Sequence, residues 1–529
     1  MTPSDTPLDL DLSRRRLLAA AGLGGGVAAA SWLGAGSVRA MEPSPAARDP
    51  VMTPPVAGLH LQFGADASSQ MAVSWHSLQP VDHPRVLLGR MDGRLEQVIK
   101  AREVAYTDAK SGQIVHAWHA DIERLRPDTA YLYAALHDGA QPVFATFRTA
   151  PRGRAPLTFT SFGDQGTPTL GRLFTPPPGV TLANPPYVND NLGSPAAAHT
   201  TMGVERIQPL FHLFNGDLCY ANLAQDRVRT WWDFWENNSR SARQRPWMPS
   251  PGNHENELGN GPIGYQAYQT WFRVPEAAGQ TDLTRGLWYA FTAGSVRVIS
   301  IANDDVVYQD GGNSYVRGYS GGAQKRWLEQ ELAATRASRD IDWIVVCMHQ
   351  VAISTAEANG ADLGIREEWL PLFDRFGVDL VVCGHEHHYE RSHPIRGHEA
   401  NATLTPLPMA TATDTIDTTT GTVHMVVGGG GTSSPSNTRF YTPPHCRVIT
   451  AVGPPGSTGR RPPIYVNEPA PWSAVRNEAH AYGFAAFTVD PGPHPGAVTT
   501  MKVTYYDVLG PDGQIAPFES FTLKRPRRD

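Results

Sequence analysis

Past position 56 the chain alternates apolar with polar or small residues. Leu59-His60-Leu61-Gln62-Phe63, Met71-Ala72-Val73-Ser74-Trp75 and Ala130-Tyr131-Leu132-Tyr133-Ala134 all follow this pattern, with turn residues between them. A period of two marks a strand buried on one face, and no helical period runs through this region. Residues 57–150 are therefore predicted to form a small antiparallel sandwich. Trp75 on an early strand and the run Leu125–Tyr133 suit such a sandwich with a tyrosine corner. The break at Ala150-Pro151-Arg152-Gly153 ends it.

From residue 155 the grammar changes. Short apolar runs (Leu157–Phe162, Leu210–Phe214, Ile344–Met348, Val378–Cys383) stop abruptly at Gly-Asp, Gly-Asn-His or Gly-His. Buried strands ending at polar residues are what an open α/β sheet shows, with ligands at the carboxyl ends of its strands. Gln324–Leu332 and Arg366–Phe376 carry apolar residues at helical spacing and are predicted crossover helices. Thr422–Val427, Gly483–Val489 and Met501–Tyr506 return to strands. Residues 167–203, rich in Pro and Asn, form an insertion long enough to be functional or mobile. Residues 155–529 are thus expected to be one large α/β unit.

Composition narrows the picture. The 529 residues carry 45 Lys+Arg against 51 Asp+Glu, a net −6 with no long basic run. Phosphate neutralisation needs clustered Lys and Arg, so nucleic acid is not expected as the primary partner. Four Cys in so long a chain are not a disulfide scaffold.

The first 40 residues read as an address. Ser13-Arg14-Arg15-Arg16-Leu17-Leu18 opens an uncharged stretch to Leu33, and Val38-Arg39-Ala40 supplies a small-residue cleavage site. This is the order of an export signal of twin-arginine type. The alternative, a membrane anchor, is short and weakly apolar for a span. Cleavage would leave a Pro- and Ala-rich linker over 41–56, a mature chain without a membrane span, and a periplasmic, envelope or extracellular protein.

Five strand ends carry the chemistry. In order they are Gly163-Asp164-Gln165-Gly166, Gly216-Asp217-Leu218-Cys219-Tyr220, Gly252-Asn253-His254-Glu255, Cys347-Met348-His349 and Gly384-His385-Glu386-His387. Asp164, Asp217, Tyr220, Asn253, His349, His385 and His387 are seven candidate donors. That is too many for one open catalytic ion and suits two ions sharing a carboxylate. His385 and His387, two apart, could face one side of a strand end. Cys219, Cys347 and Cys383 lie close to these donors and read as small buried residues, with thiolate ligation as the alternative. Trp231, Trp232, Phe234 and Trp235 read as core, part of which could line a pocket.

The ordered set resembles the metallophosphoesterase superfamily, and Tyr220, three residues after the second Asp, resembles the purple acid phosphatases. The likeness extends through Gly384–Arg391 and Val426–Gly431, and the N-terminal sandwich resembles a fibronectin type III-like module. It implies a bacterial member whose catalytic domain is a layered β-sandwich flanked by helices. It also implies that Asp164, Tyr220 and His387 hold a ferric ion that Asp217 bridges to a neighbour. Asn253, His349 and His385 would hold a divalent iron, zinc or manganese. Phenolate and carboxylate suit the trivalent ion, imidazole and amide the divalent one. The implied activity is acid hydrolysis of small phosphate monoesters by metal-activated water, with His254 contacting the phosphate or assisting the leaving group. His254 could instead orient a ligand.

The chain departs from plant members, which carry a further histidine pair between the fourth and fifth motifs. Asn359, Asp362, Arg366 and His388 are the candidates to replace it. Two other functions stay open: a phosphodiesterase or nucleotidase with the same metals, and an envelope binding protein whose metal site is residual. The oligomeric state is not encoded in any motif.

Overall fold

The computed structural model describes residues 53–168, 172–173, 187–188, 191–310, 314–457 and 459–527. The export signal of residues 1–40, most of the 41–56 linker and much of the 167–203 insertion lie outside the described residues.

The alternating N-terminal segments form eight strands: β1 (Ala57–Phe63), β2 (Met71–Ser77), β3 (Arg85–Arg90), β4 (Leu95–Lys100), β5 (Arg102–Thr107), β6 (Ile114–Ile122), β7 (Ala130–Leu136) and β8 (Val143–Arg148). They make two four-stranded antiparallel sheets, in the orders β1-β2-β6-β5 and β4-β3-β7-β8. Trp75 and Tyr133 fill the space between them, both fully buried. The Tyr131 hydroxyl accepts the Arg126 N–H at 2.8 Å, which is the bond a tyrosine corner requires.

The rest of the chain builds a second, larger sandwich. Its first layer starts from β9 (Leu157–Phe162), and a two-residue ribbon of β10 (Arg172–Leu173) and β11 (Tyr187–Val188) follows. Helix α1 (Ala196–Ile207), which begins inside the predicted 167–203 insertion and runs past its end, leads to β12 (Phe211–Asn215). Helix α2 (Arg227–Ala242) leads to β13 (Trp247–Ser250), and α3 (Gln266–Trp271) comes after it. The second layer takes β14 (Tyr289–Ala293), β15 (Val296–Ser300), α4 (Ala323–Ala337), β16 (Trp343–Cys347) and the short β17 (Ala361–Asp362). Helices α5 (Leu363–Glu368) and α6 (Leu370–Phe376) precede β18 (Leu380–Cys383). The remaining strands are β19 (Tyr389–Ser392), β20 (Ile395–His398), β21 (Pro406–Pro408), β22 (Thr415–Asp417), β23 (Val423–Val427), β24 (His445–Val452), β25 (Pro463–Pro469), β26 (Ser473–Arg476), β27 (Gly483–Asp490), β28 (Val498–Val508) and β29 (Ile515–Pro526).

Two seven-stranded sheets result, β13-β12-β9-β27-β28-β29-β22 and β14-β15-β16-β18-β23-β19-β26. Neither is the open α/β sheet that the strand ends alone suggest; together they form the layered β-sandwich flanked by helices that the resemblance implies. Each sheet has a parallel core, β9/β12/β13 in one and β15/β16/β18/β23 in the other, extended by antiparallel strands except at β22, which pairs parallel with β29. The layers meet where β12 approaches β16 and β23 approaches β27, with α1 against β27 and β28. The helix expected over 366–376 is two, because Pro371 occupies the first turn of α6 and the chain turns at Trp369; proline favours a first turn and disrupts an interior one.

Trp231, Phe234 and Trp235 of α2 are buried; Phe234 packs on Phe214 of β12 and Trp235 meets the N-terminal sandwich. His60 of β1 stacks on Trp235 with ring centroids 3.7 Å apart, and its Nε2 lies 2.9 Å from the Trp271 carbonyl oxygen. His119 of β6 donates Nε2–H to the Thr270 carbonyl at 3.0 Å and accepts the Ser74 hydroxyl on Nδ1 at 2.8 Å. One hydrophobic cluster therefore runs through both sandwiches.

Candidate metal centre

The five donor motifs follow five parallel strands. Asp164 comes after β9, Asp217 and Tyr220 after β12, Asn253 after β13, His349 after β16, and His385 and His387 after β18. Because these strands lie parallel in the two layers, their carboxyl ends open on the same edge, and residues more than two hundred positions apart come within contact.

Two groups of donors form there. In the first, the Tyr220 hydroxyl lies 3.3 Å from Asp164 Oδ1 and 3.2 Å from His387 Nε2, and His387 Nε2 lies 3.4 Å from Asp164 Oδ1. In the second, His349 Nε2 lies 3.0 Å from Asp217 Oδ2, 3.0 Å from Asn253 Oδ1 and 3.3 Å from His385 Nδ1. The donor atoms of Asp217, His349 and His385 all lie within 4.8 Å of one another. His385 and His387 do not share one side of a strand. His385 sits in a turn beyond β18 at φ 71°, so it joins the second group while His387 joins the first.

These contacts suit cations better than protons. His349 donates Nδ1–H to the Asn215 carbonyl at 2.7 Å, which turns Nε2 toward three other potential donors to a metal; one proton there can serve only one of them. His387 Nδ1 is likewise fixed by the Ser434 carbonyl at 2.5 Å. A backbone carbonyl on the far ring nitrogen is the usual support of a metal-binding histidine. The charges agree. Burial would lower His349, but Asp217 and Asp164 lift it to about 10. Burial and the positive His349 push His385 far down. Burial, then the Asp164 and Asp217 carboxylates, push the Tyr220 phenol far up. Burial would raise Asp217, but His349 and His254 hold it well below the carboxylate range. Two anions beside a phenol and three imidazoles form a donor set that positive ions would complete.

The surrounding groups fix the donors. Glu255, buried, accepts N–H groups from Asp217 at 2.9 Å, Leu218 at 2.8 Å and Gly252 at 2.7 Å. It thereby ties the second motif to the third. The His385 N–H donates to Asp164 Oδ2 at 2.8 Å, and Asn303 Oδ1, beyond β15, accepts the His349 N–H at 2.7 Å. His254 places its N–H on Asp217 Oδ1 and its Nδ1 against Asn222 Oδ1, both at 2.8 Å, with its ring 4.6 Å from that of Tyr220. Glu255 lay inside a recognised motif, while Asn215, Asn222 and Asn303 carried no signal beyond their nearness to strand ends.

The cysteines and the loop candidates resolve differently. Cys219, Cys347 and Cys383 are buried thiols that burial pushes upward, so they pack beneath the site. Asp362 caps α5 and accepts the Gly364 N–H at 2.8 Å. Arg366 pairs with Glu468 at 2.8 Å, and His388 is held by Ser436 at 2.8 Å. Those three are committed elsewhere in the fold. Asn359 donates its side-chain amide to the His385 carbonyl at 2.7 Å.

Two family models match the chain. The model of the calcineurin-like phosphoesterases matches residues 193–389, a span holding all the donors except Asp164. That of the purple acid phosphatase N-terminal domain matches residues 56–149. An uncharacterized protein of Mycobacterium tuberculosis is 58% identical over 98% of this chain and 96% of its own. A purple acid phosphatase of Glycine max is 28% identical over 71% of this chain and 72% of its own. The structure of a purple acid phosphatase from yellow lupin seeds superposes with a TM-score of 0.63 at 20% identity, over 89% of this chain and 75% of that one, and shows the shared fold.

Proposed function

We propose that this chain, which belongs to the purple acid phosphatases within the calcineurin-like phosphoesterases, hydrolyses small phosphate monoesters. The observation that carries the reading is the pair of donor groups on one edge of the two sheets. Asp164, Tyr220 and His387 would hold a ferric ion and Asn253, His349 and His385 a divalent iron, zinc or manganese, with Asp217 between them. Bound there, the ions would polarise the phosphoryl oxygens, activate water and offset charge developing in the transition state.

The chain's own residues do the remainder. Glu255 and the Asn215 carbonyl hold the donors in place before substrate arrives. His254 has Nδ1 committed to Asn222, which leaves Nε2 for the phosphate or the leaving oxygen. The left-handed turns at Asp164, Asp217 and Tyr220 present their side chains to the open edge.

Metal analysis with a visible spectrum, and turnover of para-nitrophenyl phosphate against its bis ester, test this together. Two metals per chain, a phenolate-to-iron absorption band and preference for the monoester are the expected result. Preference for the bis ester would make the chain a diesterase. Two zinc or manganese ions without the band would remove the ferric assignment. Tyr220→Phe should abolish the band while leaving bound metal, and a band that survives overturns the role given to Tyr220.

Export rests on the N-terminal Arg14-Arg15-Arg16-Leu17-Leu18 run. The secreted protein should have an intact mass lacking the first 40 residues; a retained Met1 overturns cleavage. Among the described residues no helix is long and apolar enough to cross a membrane.

A further inference from the structure

Asp108 stands at the turn between β5 and β6 of the N-terminal sandwich, yet it is fully buried. One carboxylate oxygen closes its own turn by accepting the Ser111 N–H and hydroxyl, each at 2.8 Å. The other reaches out of the sandwich, accepting from Asn260 Nδ2 at 3.1 Å and from Arg227 Nη1 at 3.4 Å. Beside it, the Ala109 N–H donates to Asn260 Oδ1 at 2.8 Å and Lys110 Nζ donates to the Ala224 carbonyl at 2.5 Å.

These three residues grip two different segments of the catalytic sandwich. Ala224 and Arg227 lie on the stretch running from Tyr220 through Asn222 into α2. Asn260 lies on the turn that follows Asn253, His254 and Glu255. The segments are also tied to each other at this point. Arg227 Nη1 donates to the Leu258 carbonyl at 3.0 Å and Trp231 Nε1 to Glu257 Oε1 at 2.7 Å, and within the second segment Asn260 Nδ2 donates to Glu257 Oε2 at 2.6 Å. The same two segments meet again at the metal centre, where His254 Nδ1 lies 2.8 Å from Asn222 Oδ1.

Asn222 is two residues from Ala224, and His254 is six from Asn260. A grip on the second pair therefore limits how far the first pair can separate. A buried carboxylate facing a buried guanidinium contributes little net stability, because desolvation offsets attraction, but it fixes one geometry. Stabilising two docked domains would not call for such a pair. Fixing the spacing of two loops would.

We propose that the Asp108–Lys110 turn of the N-terminal sandwich is a positioning element of the metal centre, setting the His254–Asn222 contact by clamping the segments 220–227 and 257–264. Asp108 and Lys110 touch no substrate and act through Arg227, Asn260 and Ala224. The proposal rests on the hydrolytic reading above for its kinetic readout alone.

The test is a double-mutant cycle in the full-length, metal-loaded protein. Misplacing a catalytic group by an ångström costs about 100-fold, so Asp108→Ala should lower kcat roughly 10- to 100-fold with little change in KM. Combined with Asn222→Ala, which already removes the contact being set, the same replacement should cost less than about twofold, the additivity failure expected of coupled residues. Lys110→Ala, at an exposed position, repeats the cycle without touching the core, should Asp108→Ala fail to fold. Arg148→Ala, on an exposed pair elsewhere in the sandwich, should behave as wild type. An unchanged kcat, or an equal loss in both backgrounds, overturns the proposal. Amide exchange across 253–264 is read on the same samples. If the wild type hydrolyses no phosphate ester, the hydrolytic reading fails and exchange decides the clamp: faster exchange in Asp108→Ala supports it, and unchanged exchange overturns it.

Discussion

Asp164, Asp217, Tyr220 and His385 hold φ angles of 59°, 51°, 58° and 71°. Side chains with a Cβ avoid that region, and each residue held there stores about 1–3 kcal/mol that the surroundings must offset. Here the offset is visible in bonds: Glu255 takes three N–H groups across two motifs, and the Asp164 N–H donates to the Gly216 carbonyl at 3.0 Å. The glycines serve close approach. A Cβ on Gly384 would sit 2.3 Å from Asp164 Oδ2 and 2.7 Å from the Asn215 carbonyl oxygen, neither of which can move without disturbing a donor. Gly384→Ala should therefore weaken metal retention about 10- to 100-fold, the usual cost of disturbing the shell around ligands. Metal content after dialysis against a graded chelator series measures it, and wild-type retention would show that the turn has room. Asp164, Asp217, His349 and His385 stood out as candidate donors in sequence because each closely follows a place where an apolar run stops, while Tyr220 stood out through the resemblance. Asn215, Asn222 and Asn303 did not, because their roles are contacts between segments far apart in the chain, and one asparagine near a strand end looks like any other.

The strands were legible for the same physical reason. A buried parallel strand reads as a continuous apolar run, so Trp343–Cys347 and Leu380–Cys383 announce themselves; the alternation of Met71–Trp75 marked a strand too, although β2 proves buried on both faces. The pairing of strands was not legible. Nothing local in β27 says that it lies antiparallel to β9, and without that pairing the strand ends suggest one open sheet instead of two mixed ones. Helix α2 joins the two sandwiches: its buried aromatic face meets β1, and its first turn carries Arg227, the partner of Asp108. Asp226 caps it, accepting the Arg229 N–H at 2.9 Å. Asp226→Ala should cost about 1 kcal/mol of unfolding free energy and Asp226→Asn much less, since either oxygen can serve the cap. Chemical denaturation reads the difference. Equal losses in the two variants would mean that the charge of Asp226, and not its cap, supports α2.

The junction of the two sandwiches gives the whole molecule a response to acid. Burial holds His119 at about 3 and His60 at about 4, while burial and the neighbouring His60 push His76, both of whose ring nitrogens are unpaired, well below its ordinary value. His60 and the Arg273 guanidinium lower His119 further while the Thr270 carbonyl and the Asp121 carboxylate raise it, and the Gly58 and Trp271 carbonyls raise His60. All three imidazoles are neutral in the folded state. Below the ordinary value of 6.5 the unfolded chain takes up protons that the folded chain refuses, so each group subtracts stability as pH falls from 6.5 toward its folded value. Buried carboxyls pull the other way: burial lifts Glu257 to about 7, and it gains a proton on folding over much of the same range. The net slope of the wild type therefore isolates none of them, and the informative quantity is a difference. His119→Gln keeps an amide to donate to Thr270 and cannot charge. Its thermal midpoint should fall less than that of the wild type between pH 6.5 and 4, by about 2 °C or more for a chain of this size. Parallel curves over that interval would show that His119 protonates as freely in the folded junction as in the unfolded chain.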